Sequence, residues 1–246
     1  MKRFVAILTL LALALAAPGI LTHGPRSTPK IALTFDADMT PGMKQNLLSG
    51  RVKSYNNTRI YAILEQQQVK ATFFLTGMWI ELYPQQAKAL AQNPLFELAN
   101  HSYSHPGFEQ PCYGLPSVTL EGQGLVQAKE AQVRKTQALL ESLGVHNTYF
   151  RFPGGCANPS DVAMVERLGL RVVHWDAAGE DGGQHNPQVI VRNVLKQAQN
   201  GSIIVLHSHG GPKVPATAEA LAQIIPALKA RGFEFVKVSE LLTHNQ

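Results

Sequence analysis

The sequence predicts an α/β domain with parallel strands. Three observations predict it: seven short apolar segments rich in β-branched or aromatic residues, longer amphipathic stretches between them, and no Pro-, Gly- or Ser-rich linker separating the units. A parallel neighbour is reached only by a long return connection, and the amphipathic stretches supply it as helices. Seven strands in one cycle suggest a barrel. An open doubly wound sheet carries the same alternation, so periodicity leaves both arrangements open.

The elements follow in order. The start, "MKRFVAILTLLALALAAPGIL", sets Lys2 and Arg3 before an uncharged apolar run over 4–17, with Ala14-Leu15-Ala16 offering small residues for cleavage. That pattern predicts an export signal over residues 1–25; an uncleaved membrane anchor competes, although the run is short for one. Either reading places the remainder, a single domain over 26–246, outside the cytoplasm. The strand candidates are "KIALTFDAD", "KATFFLTG", "LFELANHS", "TYFRFPGG", "RVVHWDAA", "SIIVLHSH" and "FEFVKVSE". Helical patterns cover 58–68, 78–92, 119–143, 160–168, 187–199 and 217–230. The segment "MTPGMKQNLLSGRVKSYNN" carries Lys44, Arg51 and Lys53 and reads either as a cleft wall or as a solvated loop.

Composition narrows the function classes. At 246 residues, 45% hydrophobic and 16% charged, the chain can bury a sizeable core and is not disordered. Its formal charge of +5 includes Lys2 and Arg3; without them 20 basic residues face 17 acidic ones, leaving +3. No basic block interleaved with aromatics is present, which excludes an obvious nucleic-acid surface, while a weak positive field is compatible with an anionic polymer. No membrane contact is expected beyond the N-terminal segment. Cys112 and Cys156 are too few for a disulfide scaffold, but an exported chain can bridge an even pair.

The polar residues gather at the carboxyl ends of the predicted strands. Asp36 and Asp38 end the first, His101 and His105 the third, Arg151 the fourth, Trp175 and Asp176 the fifth, and His207 and His209 the sixth. In parallel α/β folds those ends share one face, where distant clusters converge into a site. Bland readings exist for each. A lone Asp caps helices and turns, Trp175 suits a core, and His207 after an apolar strand suits a buried, hydrogen-bonded ring. His174 reads as core or barrel wall; His23, His146, His185 and His244 read as surface or loop. Two imidazoles four apart behind a strand suit a metal better than a surface. Arg151 in an apolar strand needs a carboxylate if buried.

Together the clusters resemble the NodB-like polysaccharide deacetylases of carbohydrate esterase family 4, over nearly the whole chain after the signal. "TFDAD" resembles the first motif of that family, "HSYSHP" the second, "RFPGG" the third, "WDAAGED" loosely the fourth and "VLH" the fifth. The resemblance implies a distorted (β/α) barrel and a divalent metal, most simply Zn2+, held by Asp38, His101 and His105. It also implies hydrolysis of N-acetyl groups on an acetylated polysaccharide or oligosaccharide. Asp36 matches the family's base, Arg151 its charge partner, His207 the acid, and Asp181 the aspartate that orients His207. A backbone N–H near Gly154 or Gly155 would face the oxyanion.

The sequence departs from the pattern in places. Ala37 stands where the family usually has its metal-binding aspartate, displacing that carboxylate to Asp38. The rival assignment exchanges the roles of Asp36 and Asp38. Residues two apart on a strand share a face, so "DAD" can send both carboxylates into the barrel mouth. Gly182 replaces the fourth motif's final tryptophan, and Gly154 and Gly155 stand where the third commonly has a proline and a tyrosine. Because Cys112 and Cys156 each follow a motif on the same predicted face, a disulfide across the barrel mouth is expected.

Overall fold

The computed structural model describes residues 19–118, 122–208 and 216–243. Of the segment expected to direct export, residues 1–18 lie outside the described residues. Residues 20 and 21 do not stand apart from the domain: β1 (Ile20–Leu21) pairs with the strand at 171–173, and Gly24 N–H donates to Gly201 O at 2.8 Å. The folded unit therefore begins ahead of residue 26.

The strands that follow are β2 (Lys30–Ala37), β3 (Ala71–Leu75), β4 (Phe96–Asn100), β5 (Tyr149–Phe150), β6 (Arg171–Val173), β7 (Ala177–Ala178), β8 (Ile203–His207) and β9 (Glu234–Phe235). They form one sheet in the order β1-β6-β5-β4-β3-β2-β8-β7, with β9 also on β2, and each pair is parallel. The order is that of a cycle opened once, between the edge strands β1 and β7. A doubly wound sheet would instead reverse at a switch point. The structure is thus a curled, incomplete parallel barrel. "RVVHWDAA", predicted as one strand, is two, because the chain crosses that opening at residues 174–176 and joins the opposite edge.

Strand alternation decides what faces the barrel axis. On β2, Ile31, Leu33, Phe35 and Ala37 pack into the cluster under the helices, whereas Ala32 joins Phe74, Ala99, Tyr149, Val173 and Ile203 inside the barrel. Thr34 and Asp36 have the parity of Ala32 and are buried. The floor is closed by α9 (Val238–Leu242), whose Val238, Leu241 and Leu242 join the interior cluster. This explains why "FEFVKVSE" gives only a two-residue strand: Glu240 Oε2 accepts from Lys237 N–H at 3.1 Å and starts a helix there.

The return helices are α2 (Thr58–Gln66), α3 (Gly77–Leu82), α4 (Pro84–Gln92), α5 (Gly122–Ser142), α6 (Pro159–Arg167), α7 (Pro187–Gln197) and α8 (Thr217–Ala230). The stretch predicted as one helix over 78–92 is broken at Tyr83, because Pro84 has no N–H to donate and takes the first position of a new helix. The segment after β2 holds a helix not predicted, α1 (Pro41–Leu48), capped by Thr40 Oγ1, which accepts from Met43 N–H at 3.1 Å. A threonine before a proline is the sequence signal that could have found it.

Candidate active site

Four strand ends and the segments that follow them meet at the mouth of the barrel. Asp36 on β2 and His207 on β8 are register partners, so the two side chains rise side by side. Arg151, just past β5, is fully buried and reaches across the axis. Its Nη1 donates to Asp36 Oδ1 at 2.7 Å and to Thr34 Oγ1 at 2.9 Å; Nε and Nη2 donate to the carbonyls of Val173 and His174 at 3.2 and 3.1 Å. The guanidinium lies 3.9 Å from the centre of the Phe74 ring. A buried arginine so held has its charge partner and its donors satisfied, the condition its place in an apolar strand demands.

His101 and His105 are turned toward one point by a tight reversal. Ser102 and His105 adopt left-handed backbone (φ +66° and +58°), a conformation non-glycine residues take only under constraint. The constraint comes from two side chains. Asn100 Oδ1 accepts from Ser102 N–H at 3.0 Å, and Gln132 Oε1 on α5 accepts from the N–H groups of Tyr103 and Ser104 at 3.1 and 2.9 Å. Asn100 in turn donates to Val133 O at 2.9 Å, locking the strand end to the same helix.

Asp38 completes the group. Its Oδ1 lies 3.5 Å from His101 Nε2 and 3.2 Å from His105 Nε2, and the three ligand atoms fall within 4.8 Å of one another. His101 Nδ1 sits 2.8 Å from the carbonyl of Arg151, which can only accept, so Nδ1 carries the proton and Nε2 presents a lone pair. Asp38 Oδ1 and His101 Nε2 are both buried and have no hydrogen-bond partner among the described residues. Two acceptors facing each other without a donor are what a cation resolves, and one carboxylate with two imidazoles is a donor set that leaves coordination positions open. Burial pushes Asp38 upward, but the rings of His105 and His207 hold its carboxyl well below the usual carboxylate range.

Beside this cluster, His207 Nδ1 lies 2.8 Å from Asp181 Oδ1, and Nε2 lies 3.9 Å from Asp38 Oδ2. Asp181 Oδ2 accepts from His207 N–H at 2.9 Å and from Thr217 Oγ1 at 2.6 Å. Burial lowers the imidazole's pKa, yet the Asp181 charge and hydrogen bond, with Asp38 and Asp36 beyond, outweigh it and bring it to about 10. Burial raises Asp181, and His207 and Thr217 more than reverse that, leaving it below its ordinary value.

A cleft of about 540 Å³ opens over these groups, with Asp36, Asp38, His105 and His207 in its base and Tyr113 and Trp175 on its walls. Lys44, Arg51 and Lys53 are not among its lining residues. Asp176, grouped with the site from its strand-end position, turns away: it pairs with Arg26 at 2.6 Å and accepts from Ser202 Oγ and Ile203 N–H, tying the N-terminal segment to β8. His209 and His244 lie outside the described residues. Cys112 and Cys156 are bonded, closing a span of 44 residues between the second and third motif loops. Thr34, Asn100, Gln132 and Thr217 support the site and went unnoticed in the sequence; only Asn100, beside His101 at a strand end, carried a local signal.

An incomplete parallel α/β barrel with a carboxylate–imidazole centre in its mouth is the class that fold and site define. The chain belongs to the polysaccharide deacetylase family, which it matches over residues 23–173. It is 29% identical over 222 residues to a peptidoglycan-N-acetylglucosamine deacetylase of Bacillus cereus, covering 89% of this chain and 91% of that protein. With YlxY of Bacillus subtilis (strain 168), an uncharacterized protein, it shares 31% identity over 184 residues, 75% of this chain and 52% of the relative, about half its length. Among solved structures, BA3943 of Bacillus anthracis, described as a family 4 carbohydrate esterase pseudoenzyme, superposes with a TM-score of 0.73. At 24% identity it covers 92% of this chain and 69% of that one, a likeness of fold.

Proposed function

We propose that this chain is an active, extracytoplasmic deacetylase that removes acetyl groups from N-acetylated sugars of a polysaccharide, with peptidoglycan the leading substrate. One observation carries the reading: the Asp36–Arg151 pair and the His207–Asp181 pair both border the Asp38, His101 and His105 cluster, with Asp36 Oδ2 3.6 Å from His101 Nε2 and His207 Nε2 3.9 Å from Asp38 Oδ2, so a base and an acid stand beside one cation position. A fold shared with a pseudoenzyme makes the completeness of that set the deciding point. The name of the Bacillus cereus relative supports peptidoglycan.

Asp38, His101 and His105 would hold a divalent cation, most simply Zn2+. When bound, such a cation polarises a carbonyl and makes water a nucleophile near neutral pH. Asp36 has one oxygen committed to Arg151; the other, 3.6 Å from His101 Nε2, faces the cluster and takes the water's proton. Arg151 fixes the direction of that oxygen. Of the two glycines that could face the oxyanion, Gly155 already donates its N–H to Phe152 O at 2.9 Å, which favours the amide of Gly154, a lining residue of the cleft. His207, oriented through Nδ1 by Asp181, presents Nε2 to the departing nitrogen and protonates it. Each of base and acid contributes on the order of 10² to 10⁴ in rate.

The test is acetate release from a panel of acetylated glycans, peptidoglycan included, with and without a chelator, alongside metal analysis of wild type and of His101→Ala/His105→Ala. Expected are chelator-sensitive acetate release and about one ion per chain, lost in the double variant. Retention of stoichiometric metal by that variant sinks the site as drawn. Glycan binding without acetate release from any member of the panel would make the chain a binding module.

A further inference from the structure

Tyr113 has no part in the chemistry above, yet the fold holds it in the cleft at some expense. It is 88% exposed, the most exposed of the large apolar residues described. Its backbone is left-handed at φ +46°, where a bulky side chain is strained, and such strain persists only where the surroundings impose it. Here they do. Cys112 on one side is bonded to Cys156, Gly114 on the other is also left-handed at φ +75°, and Leu115 N–H donates to Cys112 O at 2.7 Å, closing the turn. The loop is closed lower down by Gly107 N–H donating to Pro116 O at 2.9 Å.

The turn leans on the third motif loop. A Cβ placed on Gly154 would meet Cys112 Sγ at 2.8 Å and the Tyr113 ring at 3.2 Å. Gly154 itself is left-handed at φ +62°, so the position is closed to a side chain both by conformation and by what already fills the space. In the family's pattern this stretch commonly bears a proline and a tyrosine. Here the neighbouring loop lays an aromatic ring against Gly154, next to the Cys112–Cys156 bridge.

We propose that Tyr113 is a specificity-determining residue: a stacking platform for one sugar ring of the polymer, carried over Gly154 by the Cys112–Cys156 bridge. This rests on the polysaccharide reading above and adds a binding residue to it. The face of a sugar ring presents C–H groups of partial positive charge, which suit the negative face of an aromatic ring. Trp175, whose ring a Cβ on Gly155 would meet at 3.1 Å, lines the same cleft as a second aromatic, and the stiffness of a tyrosine with two side-chain torsions keeps the ordering cost of binding low. A flexible exposed residue would lose that advantage, which is the purpose of the bridge.

The experiment measures KM and kcat for acetate release from tetra-N-acetylchitotetraose, and Kd for the same oligomer by tryptophan fluorescence in chelator. The proteins are wild type, Tyr113→Ala, Tyr113→Phe and Cys112→Ser/Cys156→Ser. Tyr113→Ala is expected to raise KM and Kd about tenfold, equivalent to about 1.4 kcal/mol, with the loss falling on KM rather than kcat, and Tyr113→Phe to restore wild-type values. The double serine variant should share the penalty, and adding Tyr113→Ala to it should cost little more, since both changes remove one device. Wild-type affinity in Tyr113→Ala, a Phe variant as impaired as Ala, a loss confined to kcat, or no oligomer binding by wild type overturns the proposal. Should the serine variant fail to fold, the Ala and Phe pair decides alone. Oligomer binding that depends on Tyr113, with no acetate release from any glycan of the panel above, would sink the deacetylase reading and leave the platform standing; acetate release unaffected by Tyr113→Ala would do the reverse.

Discussion

Replacing Asp181 by Asn changes a charge while preserving a shape. Asn keeps one carbonyl oxygen for the His207 ring, so the imidazole should hold its place, while its NH2 takes the position of the oxygen that accepts from His207 N–H and Thr217 Oγ1; the hydroxyl can turn to accept from it, and the His207 N–H loses its acceptor. The negative charge 2.8 Å from Nδ1 disappears, and it is the largest of the contributions that carry His207 from 6.5 up to about 10. Burial then acts with less opposition, with only the Asp38 and Asp36 charges against it, and the ring's pKa falls from about 10 toward its ordinary value of 6.5. With a pKa near 10 nearly all of His207 is protonated at pH 8; at 6.5 about 3% is. If His207 is the acid, acetate release at pH 8 should fall, by up to about 30-fold in the limit of an ordinary imidazole, while at pH 6, where most of the ring remains protonated, the loss should nearly vanish. The assay is a pH profile of kcat for both proteins with the same cation, and the quantity read is the displacement of the basic limb toward lower pH. The same shift has a stability consequence. A folded pKa above the unfolded one stabilises fully below about 6.5 and loses that contribution as pH rises through about 10. Asp181, held below its usual value, sets the acid boundary, where the contribution fades as pH falls through its depressed pKa. The Tm gap between wild type and variant should therefore close as pH approaches 10. Superimposable basic limbs, with a uniform loss at all pH values, would refute both the assignment of His207 as acid and the role of Asp181 in holding its proton.

Three further outcomes follow from the same geometry. Asp36→Asn should retain metal and lose acetate release by on the order of 10² or more, while Asp38→Asn should lose metal affinity together with activity; metal analysis beside acetate release separates them, and the reverse pattern exchanges the two roles. Arg151→Met leaves the Asp36 carboxylate buried without its partner and should cost about 3–5 kcal/mol in urea unfolding, whereas an unchanged midpoint would mean that solvent reaches Asp36. Cys112→Ser/Cys156→Ser opens a span of 44 residues and should cost at most about 4 kcal/mol by loop-closure entropy, read as a lower urea midpoint that added reductant does not lower further.

Much of this architecture was legible because it is local and periodic. The alternation of apolar strands and amphipathic helices reports parallel connections, and polar residues at strand ends report the face where they meet. What escaped depends on long-range geometry. Nothing within "RVVHWDAA" says that the barrel opens at His174, since the break is set by which edges its two halves pair with. Asp176 sits at a predicted strand end like the site residues, but Arg26 from the N-terminal segment and Ser202 ahead of β8 claim it. Gln132 lies in the middle of α5 and looks like any solvated helix position; its value comes from the reversal at Tyr103 and Ser104, 28 or 29 residues earlier. Thr34 hides in an apolar strand for the same reason. Buried polar residues on strand faces are the general signal, and a single sequence shows that a residue is polar before it shows that it is buried.

The spacing of the two aspartates is a matter of parity. On an extended strand neighbouring side chains point to opposite faces, so an adjacent pair must leave the strand between its members for both to reach the mouth. Here β2 runs on through Ala37, which is fully buried in the helix-side cluster, and its carbonyl accepts from Thr76 N–H and Oγ1 at 3.3 and 2.9 Å. That anchoring keeps the strand extended one residue past Asp36 and returns Asp38 to the same face. Asp36 is thereby held deep, where Arg151 occupies one of its oxygens, and Asp38 emerges at the level of His101 and His105. A residue larger than alanine at position 37 would press on the helix layer and tilt the strand end, moving Asp38 while leaving Asp36 clamped. Ala37→Leu should therefore weaken metal retention more than it weakens the fold, as judged by metal analysis against urea unfolding. Equal losses in both would mean that Ala37 serves packing alone, and that the register of the two carboxylates does not depend on it.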